Sequence, residues 1–282
     1  MNYISIMTLS GSILFLICLL IAEKGKNFLS ERASYFLYRA ALLYFLIPLI
    51  KVAEYYRILI SYTPIRTFVN KLERGDSPYK EMITDTGVIK NWSYEIQQLI
   101  FMIWIGVAVA LLIGKIIRYL HIRRKQLTIG RSICSPETLE MMEKIRKEYR
   151  IRRKIMVLSC QQEMIPFTIG FFSPVIFIYE DSNLKHREFL LRHEMRHIKQ
   201  MDILTKQLGE LAVCIHWFNP LAYMLKMKLD INCETACDEF MMKNSPPEDK
   251  SSYGKLIVDN LLKSEEKIEF SSSLTKAGKR AE

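Results

Sequence analysis

His193, Glu194 and His197 form an H-E-x-x-H pentapeptide, with Met195 and Arg196 between them. On a helix, residues four apart project from the same face, so both imidazoles can reach one ion. Glu194 stands beside them, within reach of a water on that ion. Two imidazoles and an adjacent carboxylate in this spacing are the ligand and base set of a zinc-dependent hydrolytic centre. A catalytic zinc takes three protein ligands and keeps a further position for water.

Cys233-Glu234-Thr235-Ala236-Cys237-Asp238 supplies candidates for the third ligand, beginning well downstream of His197. Glu234 and Asp238 are four apart and share a helix face. Glu234 is expected to bind the metal, and Asp238 to accept a hydrogen bond from a ligand histidine, fixing its tautomer. Two other readings of the stretch compete: a plain solvated carboxylate pair, or Cys237 in place of Glu234 as ligand. Cys233 falls on a different face and reads as core. His186 and His216 have no partners at ligand spacing.

These residues need a scaffold. Asp181-Ser182-Asn183 offers caps for a helix running to about Met201, which carries the pentapeptide. Before it, Lys154 to Cys160, Pro166 to Gly170 and Val175 to Tyr179 read as short strands, separated by Gly170 and Pro174. Ser135-Pro136-Glu137 reads as a cap, a first-turn proline and a first-turn acid, opening a helix to about Arg150. Leu208 to Leu225 is apolar, but Glu210, His216, Asn219 and Pro220 argue for helices broken at Asn219-Pro220 rather than a membrane span. A helix over about Leu229 to Met242 carries Glu234, and Tyr253 to Lys263 reads as helical.

The first part of the chain is different. Tyr3 to Ala22 and Ile96 to Gly114 are charge-free, and each is long enough as a helix to cross about 30 Å of hydrocarbon. Ala33 to Ile50 is read as a third span in spite of Arg39, which can snorkel to the interface. Lys24, Lys26 and Arg32 follow the first span, and Arg123, Arg124 and Lys125 follow the last. The bias of basic residues puts both groups in the cytoplasm and the N-terminus outside. The expected architecture is thus a mainly α membrane protein. Residues 1–118 form a membrane region with helices near 3–22, 33–50 and 96–114 and an external loop at 51–95. Residues 119–263 form a cytoplasmic α+β metalloprotease domain, and 264–282 a flexible tail.

The formal charge is +10, concentrated between Lys115 and Lys154. Because that block starts where an apolar span ends, it reads as a membrane anchor on anionic lipid, not a nucleic-acid surface. The partners expected are the bilayer and a cytoplasmic protein substrate. Five of the six cysteines fall in the cytoplasmic part, so no disulfide is expected.

The combination His193-Glu194-x-x-His197 with Glu234-x-x-x-Asp238 resembles the gluzincin class of zinc peptidases. More narrowly, the chain is similar to the membrane metalloprotease part of bacterial beta-lactam sensor-transducers, the antirepressor proteases. Pro166-x-x-x-Gly170-x-x-x-Pro174, Ile198-Lys199-x-x-Asp202, Trp217-Phe218-Asn219-Pro220 and Cys233-Glu234-x-x-Cys237-Asp238-Glu239 carry the likeness, which covers about Lys154 to Tyr253 well and the spans loosely. The resemblance implies proteolysis in the cytoplasm that relieves transcriptional repression, with a winged-helix repressor as target. It also brings an external penicillin-binding sensor domain to mind, which is not expected in these 282 residues. Ser273-Leu274-Thr275-Lys276 matches the S-x-x-K pattern of such sensors, but no domain surrounds it.

The chemistry expected is peptide hydrolysis with Zn2+ held by His193, His197 and Glu234, and with Glu194 as general base and then acid. Tyr253 and His216 are candidates to stabilise the oxyanion. A housekeeping metallopeptidase in membrane-protein quality control, or a non-catalytic membrane-bound binding module, would share these features. Lys279-Arg280 is a candidate self-processing site.

Overall fold

The computed structural model describes residues 2–26, 28–48, 87–129, 132–159, 166–179 and 183–244, with a few positions between 246 and 258. Most of the external loop, Tyr253, the helix expected at 253–263, Lys279-Arg280 and the tail lie outside the described residues. Among the described residues the elements are α1 (Asn2–Lys24), α2 (Glu31–Leu46), α3 (Gly87–Ile129), β1 (Ser132–Ile133), α4 (Pro136–Glu148), β2 (Met156–Ser159), β3 (Phe167–Ile169), β4 (Val175–Ile178), α5 (Leu184–Gln200), α6 (Asp202–Ile215) and α7 (Pro220–Asn244). The fold is mainly helical, with one small sheet. The chain divides into two compact units, one of residues 1–27, 36–116 and 209–228, the other of 28–35, 117–208 and 229–282.

The first unit is built from apolar helices. Segments Ile4–Lys24 and Glu95–Thr128 are long and apolar enough to cross a membrane. Only 6% of the most apolar window of the second is buried by protein, which excludes a soluble core helix; that surface suits hydrocarbon. The third expected span is corrected. Helix α2 has 16 residues, about 24 Å of rise, short of the hydrocarbon thickness. It stops at Leu46, two residues before Pro48, where the missing N–H and the bias of Pro against a preceding helical residue end it. One face of it is also buried by protein, through Tyr38, Ala41, Leu42 and Phe45. Gly11 on α1 lies so close to the Phe45 ring that a Cβ there would stand 2.8 Å from it.

Several polar groups in this unit pair with one another, as an apolar setting favours. His216, fully buried, donates from Nε2 to the Phe45 carbonyl at 2.8 Å, and its Nδ1 lies 2.9 Å from Thr8 Oγ1. Asn219 Nδ2 donates to Ser12 Oγ at 2.8 Å, and Trp104 Nε1 to the Ile215 carbonyl at 2.9 Å. Glu210 pairs with both Lys115 and Lys226. The break at Asn219-Pro220 has a cap geometry: Asn219 Oδ1 accepts from the Leu221 N–H at 3.0 Å, and Pro220 takes the first helical position.

The second unit holds the sheet, in the order β1-β2-β4-β3. β2 runs parallel to β4 and β3 antiparallel to it, with Thr168 opposite Ile176. Every residue of β4 is buried, as its unbroken apolar run requires. β3 is an edge strand. Its turn to β4 needs Gly170, which has φ +90° and no room for a Cβ, since one would stand 2.7 Å from the Ser173 carbonyl. Met142 and Ile145 of α4, Val157, Ile176 and Ile178 of the sheet, and Leu191, Met195 and Ile198 of α5 form one core cluster.

Candidate metal centre

Helix α5 starts where Asn183 accepts hydrogen bonds from the N–H groups of Lys185 and His186. It buries Leu190, Leu191, Met195 and Ile198, and the same inward arc buries Glu194 and His197. The pentapeptide therefore needs no loop to hold it; core packing fixes the helix and the helix fixes the imidazoles. The C-terminus is tied down by Arg153, whose guanidinium donates to the Ile198 carbonyl at 2.7 Å and to the Phe171 carbonyl at 2.8 Å.

The ring nitrogens converge. His193 Nε2 and His197 Nε2 are 3.1 Å apart. Glu234 Oε2, from α7, lies 3.2 Å from His197 Nε2 and 3.6 Å from His193 Nε2. Zn–N and Zn–O bonds near 2.0–2.1 Å in a tetrahedral site set ligand atoms about 3.3 Å apart. The triangle has edges of that size, so the donor set fits one small divalent ion. The three atoms would also repel one another as bare acceptors, which a proton or a cation between them relieves. A metal can thus be held by His193, His197 and Glu234.

Each ligand candidate has an outer partner. His197 Nδ1 is 2.8 Å from Asp202 Oδ2, a buried carboxylate. His193 Nδ1 is 3.4 Å from Asp238 Oδ1, so Asp238 lies beside a histidine of the pair, at a longer distance than the Asp202 contact. Lys206 Nζ is 2.8 Å from Glu234 Oε1, the oxygen that faces away from the triangle. Cys233 Sγ is 3.6 Å from His197 Nδ1 and Cys237 Sγ 3.6 Å from His193 Nδ1; both thiols are buried. Two thiol-containing donor sets also lie within 4.8 Å: His193, His197 and Cys237, and His197, Cys233 and Glu234. The carboxylate set uses Nε2 of both rings, leaving each Nδ1 for its aspartate.

Glu194 is buried, and Thr168 Oγ1 on β3 donates to its Oε2 at 2.6 Å. The edge strand is in this way bonded to the carboxylate beside the triangle. Burial opposes a charged His193, but hydrogen bonds with Cys237 and Glu234 outweigh it and push the imidazole up to about 10. Burial likewise opposes a charged His197, yet its bonds with Asp202, Cys233 and Glu234 raise it well above the ordinary value. Burial alone would raise the Glu234 carboxyl, whereas its bonds with the two histidines hold it well below the usual carboxylate range. The acids around the two imidazoles thus favour positive charge at this point, which a proton or, in its place, a metal cation can supply.

Three residues of this arrangement were not assigned a role from sequence: Asp202, Thr168 and Lys206. Asp202 follows His197 by five and starts the next helix, and it meets His197 because Met201 ends α5 with a sharp turn. Met201 does so in the left-handed conformation, φ 60°, which turns the chain back at once. His186 is half-exposed near the start of α5. His216, a candidate for the oxyanion, has both ring nitrogens engaged by Thr8 and the Phe45 carbonyl. All five described cysteines are thiols, Cys18, Cys134, Cys214, Cys233 and Cys237.

A family model described as BlaR1 peptidase M56 matches residues 3–280. The chain belongs to that family. Within it, the Regulatory protein BlaR1 of Bacillus licheniformis is 28% identical over 170 residues, which are 56% of this chain and 27% of that protein. The Methicillin resistance mecR1 protein of Staphylococcus aureus is 34% identical over 89 residues, 31% of this chain and 15% of the relative. The Regulatory protein BlaR1 of Staphylococcus aureus is 24% identical over 191 residues, 66% of this chain and 32% of the relative. The matched stretches thus span less than a third of each of these relatives' length. Membership places the chain in a family of BlaR1-type peptidases, and its apolar helices and the donor groups that suit a metal accord with that.

Proposed function

We propose that the chain is an integral-membrane zinc endopeptidase that cleaves a cytoplasmic protein, a transcriptional repressor of the winged-helix kind, in a signalling pathway of the antibiotic-response type. The observation that carries the proposal is the donor triangle of His193, His197 and Glu234, with a buried Glu194 next to it in the chain. Residues 1–118 form the membrane region, and 119–263 the peptidase domain. The N-terminus faces outward and the peptidase domain the cytoplasm, as the basic residues after Lys24 and Arg118 favour.

The roles divide as follows. His193, His197 and Glu234 would hold zinc. Bound zinc supplies Lewis acidity, polarising a peptide carbonyl and making water acidic near neutral pH. Glu194 takes the proton from the attacking water and delivers it to the leaving amine. Thr168 holds Glu194 Oε2 by its hydrogen bond, leaving Oε1 for proton transfer. Asp202 fixes the His197 ring so that Nε2 points into the triangle, and Asp238 flanks His193. β3, an edge strand bonded to Glu194 through Thr168, can pair with an extended substrate by strand addition, which reads backbone more than side chains.

The test is cleavage in native membranes. Vesicles carrying the wild-type chain are incubated with a purified winged-helix repressor, with and without a zinc chelator. The expected result is discrete repressor fragments that disappear with chelator and with Glu194→Ala. An intact repressor, with unfolded membrane proteins degraded instead, would replace the regulatory role with a quality-control one.

A further inference from the structure

Asp202 has two carboxylate oxygens, and both are used. Oδ2 faces His197 Nδ1 at 2.8 Å, and Oδ1 accepts a 2.8 Å hydrogen bond from the Tyr35 hydroxyl. Tyr35 is 5% exposed, Asp202 2% and His197 7%, so the chain of three groups is dry. Tyr35 belongs to the start of α2, a helix that supplies none of the ligand candidates. The same helical turn makes two more bonds to α7. Glu31 Oε2 accepts from Thr235 Oγ1 at 3.2 Å, and the Arg32 N–H donates to Glu239 Oε2 at 3.3 Å. Thr235 follows Glu234 in sequence and Glu239 follows Asp238, so the first turn of α2 is bonded to residues adjoining the third ligand and its neighbour.

We propose that Tyr35 is a positioning residue for the metal centre, acting through Asp202 on His197. A carboxylate gripped at one oxygen only can rotate about its Cβ–Cγ bond and let the imidazole follow. Gripped at both, it is fixed, and the imidazole it holds presents Nε2 in one direction. A phenol hydroxyl donating to a buried carboxylate is a charge-assisted bond, among the stronger ones available. Outer partners of metal-ligating histidines act in this way on affinity and geometry. The start of α2 is thereby part of the metal centre, and a shift of that turn would loosen His197 without touching a ligand. The inference rests on the reading of His193, His197 and Glu234 as zinc ligands.

The test uses the full chain in detergent and reads metal, not turnover. Zinc affinity is measured by competition with a chromophoric chelator, and the visible spectrum of the cobalt-loaded protein is recorded. Tyr35→Phe is expected to bind zinc about 10-fold more weakly, at the lower end of the effect of an outer partner, and to shift the cobalt bands. Asp202→Asn should do the same more strongly and serves as a second route to the claim. Tyr38→Phe, a hydroxyl lost one turn along the same helix, should match wild type in both readouts. The metal-free Tyr35→Phe protein should melt somewhat lower than wild type, as a lost buried hydrogen bond requires, and the shift of the cobalt bands, which a loss of stability alone would not produce, separates positioning from general structure. Wild-type affinity and spectrum in Tyr35→Phe, with Asp202→Asn impaired, would overturn the role of Tyr35 and leave the site standing. Equal zinc binding by wild type and His197→Ala would instead overturn the site reading, and this inference with it.

Discussion

His216 and the pair His193/His197 lie in different units, His216 and His197 buried and His193 partly so, and their surroundings give them opposite jobs. His216 meets only neutral partners, a threonine hydroxyl and a backbone carbonyl. Its hydrogen bonds satisfy groups that an apolar environment would otherwise leave unpaired. His193 and His197 face carboxylates on both sides: Asp202 and Asp238 behind the rings, Glu234 in front. That field draws positive charge into the site, and the two Nε2 atoms converge on one point. Burial alone therefore does not mark a functional histidine; a buried histidine ringed by acids and aimed at a second histidine does.

The contrast breaks first if His197→Ala and His216→Ala behave alike. His197→Ala should lower zinc affinity more than about 100-fold, beyond what outer partners contribute, in a chelator competition. His216→Ala should leave that affinity unchanged and instead lower stability by about 1–3 kcal/mol, because the Phe45 carbonyl loses its donor, as read by thermal melting. Asp202→Asn comes next, with zinc affinity falling about 10–100-fold while the fold is kept. Thr168→Val should leave bound zinc at the wild-type level and lower the cleavage rate on the order of 10-fold, because Glu194 loses the bond that orients it. Lys206→Met should have the smallest effect, less than about 5-fold on zinc affinity, since its pairing with Glu234 is partly exposed to water. A larger loss than for Asp202→Asn would mean that the lysine, not the aspartate, organises the site.

Much of the scaffold was legible. Asn183 and the apolar positions 190, 191, 195 and 198 announce α5, and Gly170 and Pro174 bracket the turn between β3 and β4. That His193 and His197 share a face was legible from their i, i+4 spacing; that Glu234 meets them depends on packing between α5 and α7, which no spacing fixes. Other features were not legible. Asp202 reaches His197 only through the left-handed turn at Met201, and methionine does not announce such a turn as glycine would. Thr168 and Tyr35 act across tertiary contacts that have no local pattern. The third span looked long enough by composition, but Leu46 ends the helix and protein covers one face of it. α7 was expected to begin at Leu229, yet it runs unbroken from Pro220, because the Asn219 cap and the proline start it nine residues earlier.

The most direct test of the central claim is bound zinc per chain in purified wild type, Glu194→Ala and His193→Ala, measured by elemental analysis beside a peptide-cleavage assay. The triangle predicts one zinc in wild type and in Glu194→Ala, none in His193→Ala, and cleavage in wild type alone. Zinc retained by His193→Ala, or cleavage retained by Glu194→Ala, would contradict it.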